Sequence, residues 1–388
     1  MEQKKNITLL WRKLNSLEFG KDVVLVPYYL GQALGYQVEI CCGYSEEIAT
    51  QISKRQKKDL HFVRRPLGYK PLQRIPIYVK YLWQNASRIN LLMCFHWRLE
   101  TFVNILLYKI LNRDGLIYVK LDTESGKEWD LSRCSFIGRT IRKIIYNSCL
   151  SKVNVISCET SQPYNSLCHN KYFGDQLRKK LVLMPNAFDE AHLNILRIKE
   201  RMYDEKENLM ITVGRLGTSQ KNTEMLLKAL EDVDLKEWKF CFIGPIENDF
   251  NSIIEQFYKN YPSKRKQIIF KGKIDNKKEL WEWYNKAKIF VSTSRRESYG
   301  LVLNEAKRFR NYIISTRTGA AEDLIEQEKY GYFIEQEDNI GLSNILSQIV
   351  NKQINIDVYH NYDSQKLSYQ NMICLLYTSD AADDLIGV

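Results

Sequence analysis

Two doubly wound α/β domains in tandem are predicted by three observations. Short apolar runs alternate with helix-length segments along the chain, the alternation is interrupted once by a polar stretch near the middle, and beyond that stretch it restarts. The 388 residues, 44% of them hydrophobic, suffice for two separate cores. No fixed-period repeat or low-complexity tract competes with this reading.

The first half opens with the strand-like "NITLLW" (6–11), followed by "GKDVVLVPYYLGQAL", which has helix length with a Pro and a Gly to disturb it, and then strand-like "QVEICCG". The rhythm continues as "INLLMCFHW", "LETFVNILLYKILN" and "GLIYVKLDT", then "KVNVISC" and "KLVLMPN". A charged, polar stretch at 194–209 is the expected linker. After it come five strand-like runs, "MITVG" (210–214), "WKFCFIG" (238–244), "QIIFKG" (267–272), "AKIFVSTS" (287–294) and "NYIIST" (311–316), separated by helical segments. The expected domains are therefore 1–193 and 210–350, with a ligand between them at the carboxyl ends of the strands.

Composition narrows the function classes. The nine cysteines lie in apolar segments, with neither a C-x-x-C pair nor a histidine at metal-ligand spacing, so they read as small core residues of a reducing compartment and no metal site is expected. The first residues, "MEQKKNITLLWRKLN", hold too short an apolar run for a signal peptide, and no stretch is long and apolar enough to span a bilayer. A cytoplasmic location is expected. The formal charge of +11 sits wholly in the first half, where residues 1–190 carry 29 Lys and Arg against 17 Asp and Glu. Such a surplus suits an anionic membrane face, a phosphorylated substrate or nucleic acid, and it also suits a merely solvated basic surface.

Two loops carry the chemistry. After "MITVG" comes "RLGTSQKN", which places Arg215 and Lys221 on a glycine-bearing turn before a helix, a setting for an anion such as a diphosphate. It lacks P-loop spacing, and "GQALGY" (31–36) is no dinucleotide fingerprint because it follows no strand. After "AKIFVSTS" comes "RRESYGLVLNEA" (295–306), with Glu297 in the loop at the strand end, a turn at Ser298, Tyr299 and Gly300, and Glu305 in the second turn of the next helix. A helix amino end there would stabilise a phosphate leaving group, and the later carboxylate suits a vicinal diol such as ribose.

With "PNAFD" (185–189), "VGRLGTSQKN" (213–222), "FIGP" (242–245), "GKIDNKKELWEWYNKAKIFVSTS" (272–294), "ESYGLVLNEA" (297–306) and "STRTGAAEDLI" (315–325) in this order, the chain resembles the retaining glycosyltransferases of family 4, group 1 transferases of GT-B fold. The resemblance implies that Arg215 and Lys221 bind the donor diphosphate and that Glu305 holds the ribose hydroxyls. It places Glu297 near the donor sugar, with the backbone of Tyr299, Gly300 and Leu301 against sugar and phosphate. It implies a UDP- or GDP-linked sugar as substrate, with neither cofactor nor metal. In the first half it points more loosely to Gly20 as lining the cleft and to His96 as contacting sugar or acceptor. Lys120, Asp122 and Glu124 are acceptor-side candidates or solvated charges.

The chain departs from the family at Ala187 in "PNAFD" and at Arg310 and Tyr312, where small residues and a proline are usual. Residues 351–373 are expected to start a helix crossing back onto the first domain. "CLLYTSDAADD" (374–384) back-translates into a sequencing-library adapter, so 374–388 are expected to be an artefact. The expected activity is transfer of a hexose-type sugar to a hydroxyl of a glycan or lipid-linked acceptor in surface-polysaccharide or glycolipid assembly. Peripheral membrane contact through the basic half is expected with it. The alternatives are a catalytically silent scaffold of the same fold, a glycosidase, which leaves the Arg/Lys loop unexplained, and a basic nucleic-acid-binding protein, which lacks a recognised aromatic or zinc module.

Overall fold

A computed structural model describes residues 4–54, 57–66 and 70–378. It divides into two compact units, one running to Asp189 and resuming at Ser368, the other spanning Glu190–Leu367.

The first unit is built on a seven-stranded sheet: β1 (Asn6–Lys13), β2 (Gln37–Gly43), β3 (Leu60–Arg64), β4 (Leu91–Phe95), β5 (Leu116–Lys120), β6 (Val155–Cys158) and β7 (Leu181–Leu183). The order is β3-β2-β1-β4-β5-β6-β7, and every pairing is parallel. Near-continuous apolar strands such as "LLMCF" follow from this, because helices cover both faces of a parallel sheet. Strand β3 lies at the edge, where "LHFVR" is only partly buried and its apolar signal is correspondingly thin. Helix Asp22–Leu34 forms despite its internal Pro27 and ends on Gly35 in the left-handed conformation. Against it packs the last helix, Tyr369–Thr378, with Tyr369 stacked on Tyr29 at 5.2 Å. The last helix begins at Tyr369, inside the expected span 351–373, and residues 351–367 stay with the second unit. Residues 379–388 of the suspected artefact lie outside the described residues.

The second unit repeats the plan with β8 (Glu207–Val213), β9 (Lys239–Ile243), β10 (Ile268–Gly272), β11 (Ala287–Ser292), β12 (Tyr312–Thr316) and β13 (Gly331–Ile334), again all parallel, in the order β10-β9-β8-β11-β12-β13. Each sheet thus has its topological switch between its first strand and the fourth, β1/β4 and β8/β11, where ligands of such sheets bind. The four-residue edge strand β13 adds to the five runs seen in the sequence.

The polar stretch 194–209 is integral to this unit. It contains the end of helix Glu190–Leu196, a 3-10 turn at Tyr203–Glu205 and the start of β8. Asn285 pins it by accepting from the Arg201 amide at 3.0 Å and donating to the Lys199 carbonyl at 2.8 Å. Buried Lys206 donates to the carbonyls of Asn285 and Ala287, both at 2.9 Å, at the end of helix Lys277–Lys286. The departures after the helix Leu301–Arg308 also have structural work. Arg310 adopts a left-handed turn with φ 55° and Tyr312 is buried at the head of β12, while Arg308 forms a buried bidentate pair with Glu190.

In the first unit Lys120, at the end of β5, is fully buried and ion-paired to Asp22 at 2.9 Å and to Glu159. It is therefore an internal charge and not a group presented to an acceptor. Burial opposes its charge, yet the two carboxylates outweigh that and hold the ammonium well above the usual lysine range. One cation does not neutralise both acids, and burial pushes the Glu159 carboxyl up to about 7. A raised acid makes the folded state retain a proton that the unfolded chain has lost. The contribution of Glu159 to the stability of this unit accordingly falls as pH rises from 4.5 to about 7. We expect Glu159→Gln to remove that contribution, so that the urea midpoint of the first unit falls less, or rises more, across this window than it does in the wild type.

Candidate functional site

In the second unit the adjacency of β8 and β11 brings their following loops, 214–222 and 293–300, side by side. The loops are stitched together. The Arg295 amide donates to the Gln220 carbonyl at 2.8 Å, the Gln220 side chain donates to the Arg296 carbonyl at 3.0 Å, and the Thr293 hydroxyl lies 3.1 and 3.0 Å from the Lys221 and Asn222 carbonyls. Arg295 adds a bond to the Ser219 carbonyl at 2.7 Å and an ion pair to Glu337.

The result is that Lys221 meets Glu297. The ammonium lies 2.5 Å from Oε1, and the Ser294 hydroxyl donates to the same oxygen at 2.7 Å. Both Lys221 and Glu297 are largely buried, so the pair sits in a less screened setting than a surface salt bridge. Arg215 is exposed on the same loop and touches the Gln220 side chain at 3.3 Å. Close backbone approach is built in at Gly244, where an added Cβ would fall 1.7 Å from the Gly214 carbonyl oxygen.

Gly300, with φ 85°, turns the chain into helix Leu301–Arg308. Tyr299 points inward, its hydroxyl donating to Asn304 at 3.0 Å, and its carbonyl accepts from the Ala320 amide at 2.8 Å. Leu301 is half-buried in the first turn. Glu305 lies in the second turn as its spacing suggested, and it faces helix Lys277–Lys286: its Oε1 receives Lys277 and the Trp281 indole, the latter at 3.0 Å. The structure thus joins Lys221 with Glu297 and gives Glu305 separate partners. Sequence reading passed over Ser294, Lys277, Trp281 and Gly319. Only Gly319 carried a local signal, a glycine in a polar turn after a strand, and its φ is 57°.

The first unit's candidates separate further. His96 follows β4 in a left-handed turn with φ 61°, its amide donating to the Lys120 carbonyl at 2.8 Å. Its Nδ1 is buried without a partner, and burial together with Arg98 lowers its pKa to about 4, so the ring is neutral at physiological pH. It lines a hollow with Trp11, Arg12, Tyr78, Arg98 and Thr101, of which Arg12 and Arg98 were not anticipated. Asp122 and Glu124 are exposed after β5. Gly20 closes a short 3-10 turn with open space where a side chain would stand, so packing does not require glycine there. Among the described residues no three His, Cys, Asp or Glu side chains are grouped so as to hold a metal ion, and no helix is long and apolar enough to cross a membrane.

Residues 197–366 match the model of the family glycosyl transferases group 1. The match takes in nearly all of the second unit, Glu190–Leu367. The β8/β11 loops, 214–222 and 293–300, lie within the matched residues. The chain is 28% identical over 174 residues to the amylovoran biosynthesis glycosyltransferase AmsD of Erwinia amylovora, a match covering 44% of this chain and 47% of that protein. The chain spans less than half the length of the curated relatives it matches. Among solved structures, a glycosyltransferase of Rickettsia africae superposes with a TM-score of 0.66 at 13% identity over 99% of this chain and 96% of that one. HepE of Anabaena, determined in complex with UDP, gives 0.61 at 12% identity over 99% and 97%. These likenesses show the fold, GT-B, with two Rossmann-like domains.

Gly319 seats the Glu297 loop. A Cβ there would lie 2.4 Å from the Tyr299 carbonyl oxygen and 2.9 Å from the Glu297 Cβ. We expect Gly319→Ala to cost about 1 kcal/mol or more in unfolding free energy from its left-handed backbone, measured by urea denaturation, with residues 297–299 displaced to make room for the added methyl.

Proposed function

We propose that the protein is a retaining, metal-independent glycosyltransferase. It moves a hexose-type sugar from a UDP- or GDP-linked donor to a hydroxyl of a glycan or lipid-linked acceptor, in surface-polysaccharide or glycolipid assembly. The observation that carries this is the Lys221–Glu297 contact at the β8/β11 switch, with Arg215 exposed on the same loop and a helix amino end following at Leu301.

The chemistry follows from what each group can do. Cleavage of the bond between the anomeric carbon and the diphosphate leaves negative charge on the departing phosphate. Arg215, Lys221 and the backbone amides at the start of helix Leu301–Arg308 are the groups that stabilise it. Glu297 is the carboxylate near the sugar, where positive character develops on the anomeric carbon as the bond breaks. Glu305 accepts from the ribose diol while Trp281 and Lys277 hold its carboxylate in place. The acceptor belongs to the first unit, where neutral His96 offers a hydrogen bond without charge, and Asp122 and Gly20 lie among the candidate contacts. Support for the donor class comes from HepE, whose structure holds UDP, and for the pathway class from AmsD, named for amylovoran biosynthesis. A cytoplasmic enzyme in peripheral contact with the membrane, through the basic first half, fits such an acceptor.

A thermal-shift panel of UDP, GDP and their glucose, galactose, N-acetylglucosamine and mannose conjugates tests the reading. We expect one base to stabilise the protein, with the shift lost in Arg215→Ala and Glu305→Ala. A folded protein that answers to none of them refutes the proposal, and binding without any sugar transfer would return the silent scaffold.

A further inference from the structure

The helix Phe136–Leu150 in the first unit has two apolar faces where a globular protein needs one. Its inner face is Tyr146, Cys149 and Leu150, all buried, and the Tyr146 ring packs at 5.2–5.6 Å against Phe102, Trp97, Trp129 and Phe173. At roughly 100° per residue, the opposite side is formed by residues 137, 141 and 144. These are Ile137, Ile141 and Ile144, which are 70%, 52% and 65% exposed, and Phe136 beside them is 81% exposed. Single exposed apolar residues are ordinary, but a helical stripe of three isoleucines with an exposed phenylalanine beside it is not.

The segment that bears the stripe carries charge of one sign. Between Leu131 and Lys152 there is no acidic residue, while Arg133, Arg139, Arg142, Lys143 and Lys152 are all basic. Arg139 is held beside the helix by bonds to the Ser132 and Cys134 carbonyls, and Lys143 lies 4.7 Å over the Tyr172 ring. The helix start is fixed by the Ser135 hydroxyl, which accepts from the Gly138 amide at 3.2 Å. An anchored helix that presents a bare apolar stripe, on a segment whose own charges are all basic and lie toward the flanks of its buried side, matches the boundary between anionic headgroups and acyl chains. There the isoleucines leave water and the cations meet lipid phosphates.

We propose that this face of helix Phe136–Leu150 docks the protein on an anionic bilayer. The proposal deepens the reading of the enzyme as one serving a lipid-linked acceptor, and it rests on that reading only for its purpose, since the docking itself needs no donor or acceptor.

The test is flotation of the full chain with vesicles of phosphatidylcholine alone or mixed with phosphatidylglycerol, at low and high salt, beside a variant combining Ile137→Ser, Ile141→Ser and Ile144→Ser. We expect binding to the mixed vesicles only, weakened by salt, and at least about tenfold weaker in the variant, because each isoleucine side chain loses its share of apolar burial. An unchanged thermal unfolding of the variant separates loss of docking from loss of fold. Absence of wild-type binding, or equal binding by the variant, overturns the proposal. So does a wild-type dimer in vesicle-free solution that the variant dissolves, because the stripe would then be covered by a second copy. The nucleotide thermal shift on the same samples reports separately on the glycosyltransferase reading.

Discussion

The contact between the Lys221 ammonium and the Glu297 carboxylate is the constraint around which the second unit's loops are arranged. Neither residue is near the other in sequence. They meet because β8 and β11 are neighbours at the switch of a parallel sheet, and because a set of backbone and side-chain bonds forces the two loops to share one surface. The pair matches charge that burial would otherwise penalise, and it leaves a cation and an anion together at the carboxyl edge of the sheet. A ligand with a phosphate beside a developing positive carbon is complementary to such an arrangement.

The same discipline governs charges elsewhere. Lys120 is consumed by Asp22 and Glu159, and Arg308 by Glu190, so these groups serve the interior. Glu305 is held by Lys277 and Trp281, which fixes the position of the carboxylate. His96 takes the opposite course. It keeps a buried ring nitrogen unpartnered and its charge suppressed, in a strained turn beside Arg12 and Arg98.

Central strands were legible in the sequence because parallel strands buried on both faces read as apolar runs; "LLMCF" and "KIFVS" are examples. The edges were not. Strand β3 mixes His61 and Arg64 with apolar residues, and β13 is four residues long, because an edge strand has solvent on one side and less to bury. The stretch 194–209 read as a linker from its charge, yet Asn285 and Lys206 bind it into the second unit through contacts some eighty positions apart. Lys120 read as a presented charge since nothing local in "YVKLDT" reveals the acids supplied by Asp22 and Glu159. Within the site, Glu297, Glu305 and the Arg/Lys loop were visible as local spacing, whereas Ser294 and Gly319 matter only through neighbours the fold supplies.

The most direct measurement of the account compares Lys221→Met and Glu297→Gln by calorimetric titration with whichever of UDP and GDP the wild type binds. If the lysine serves the diphosphate and the carboxylate serves the sugar, Lys221→Met weakens binding at least about tenfold, the scale of one charge-assisted contact. Glu297→Gln, which frees the lysine, keeps or tightens that binding while abolishing sugar transfer. If Glu297→Gln weakens diphosphate binding as much as Lys221→Met does, the pair is a structural clasp and the division of roles is wrong.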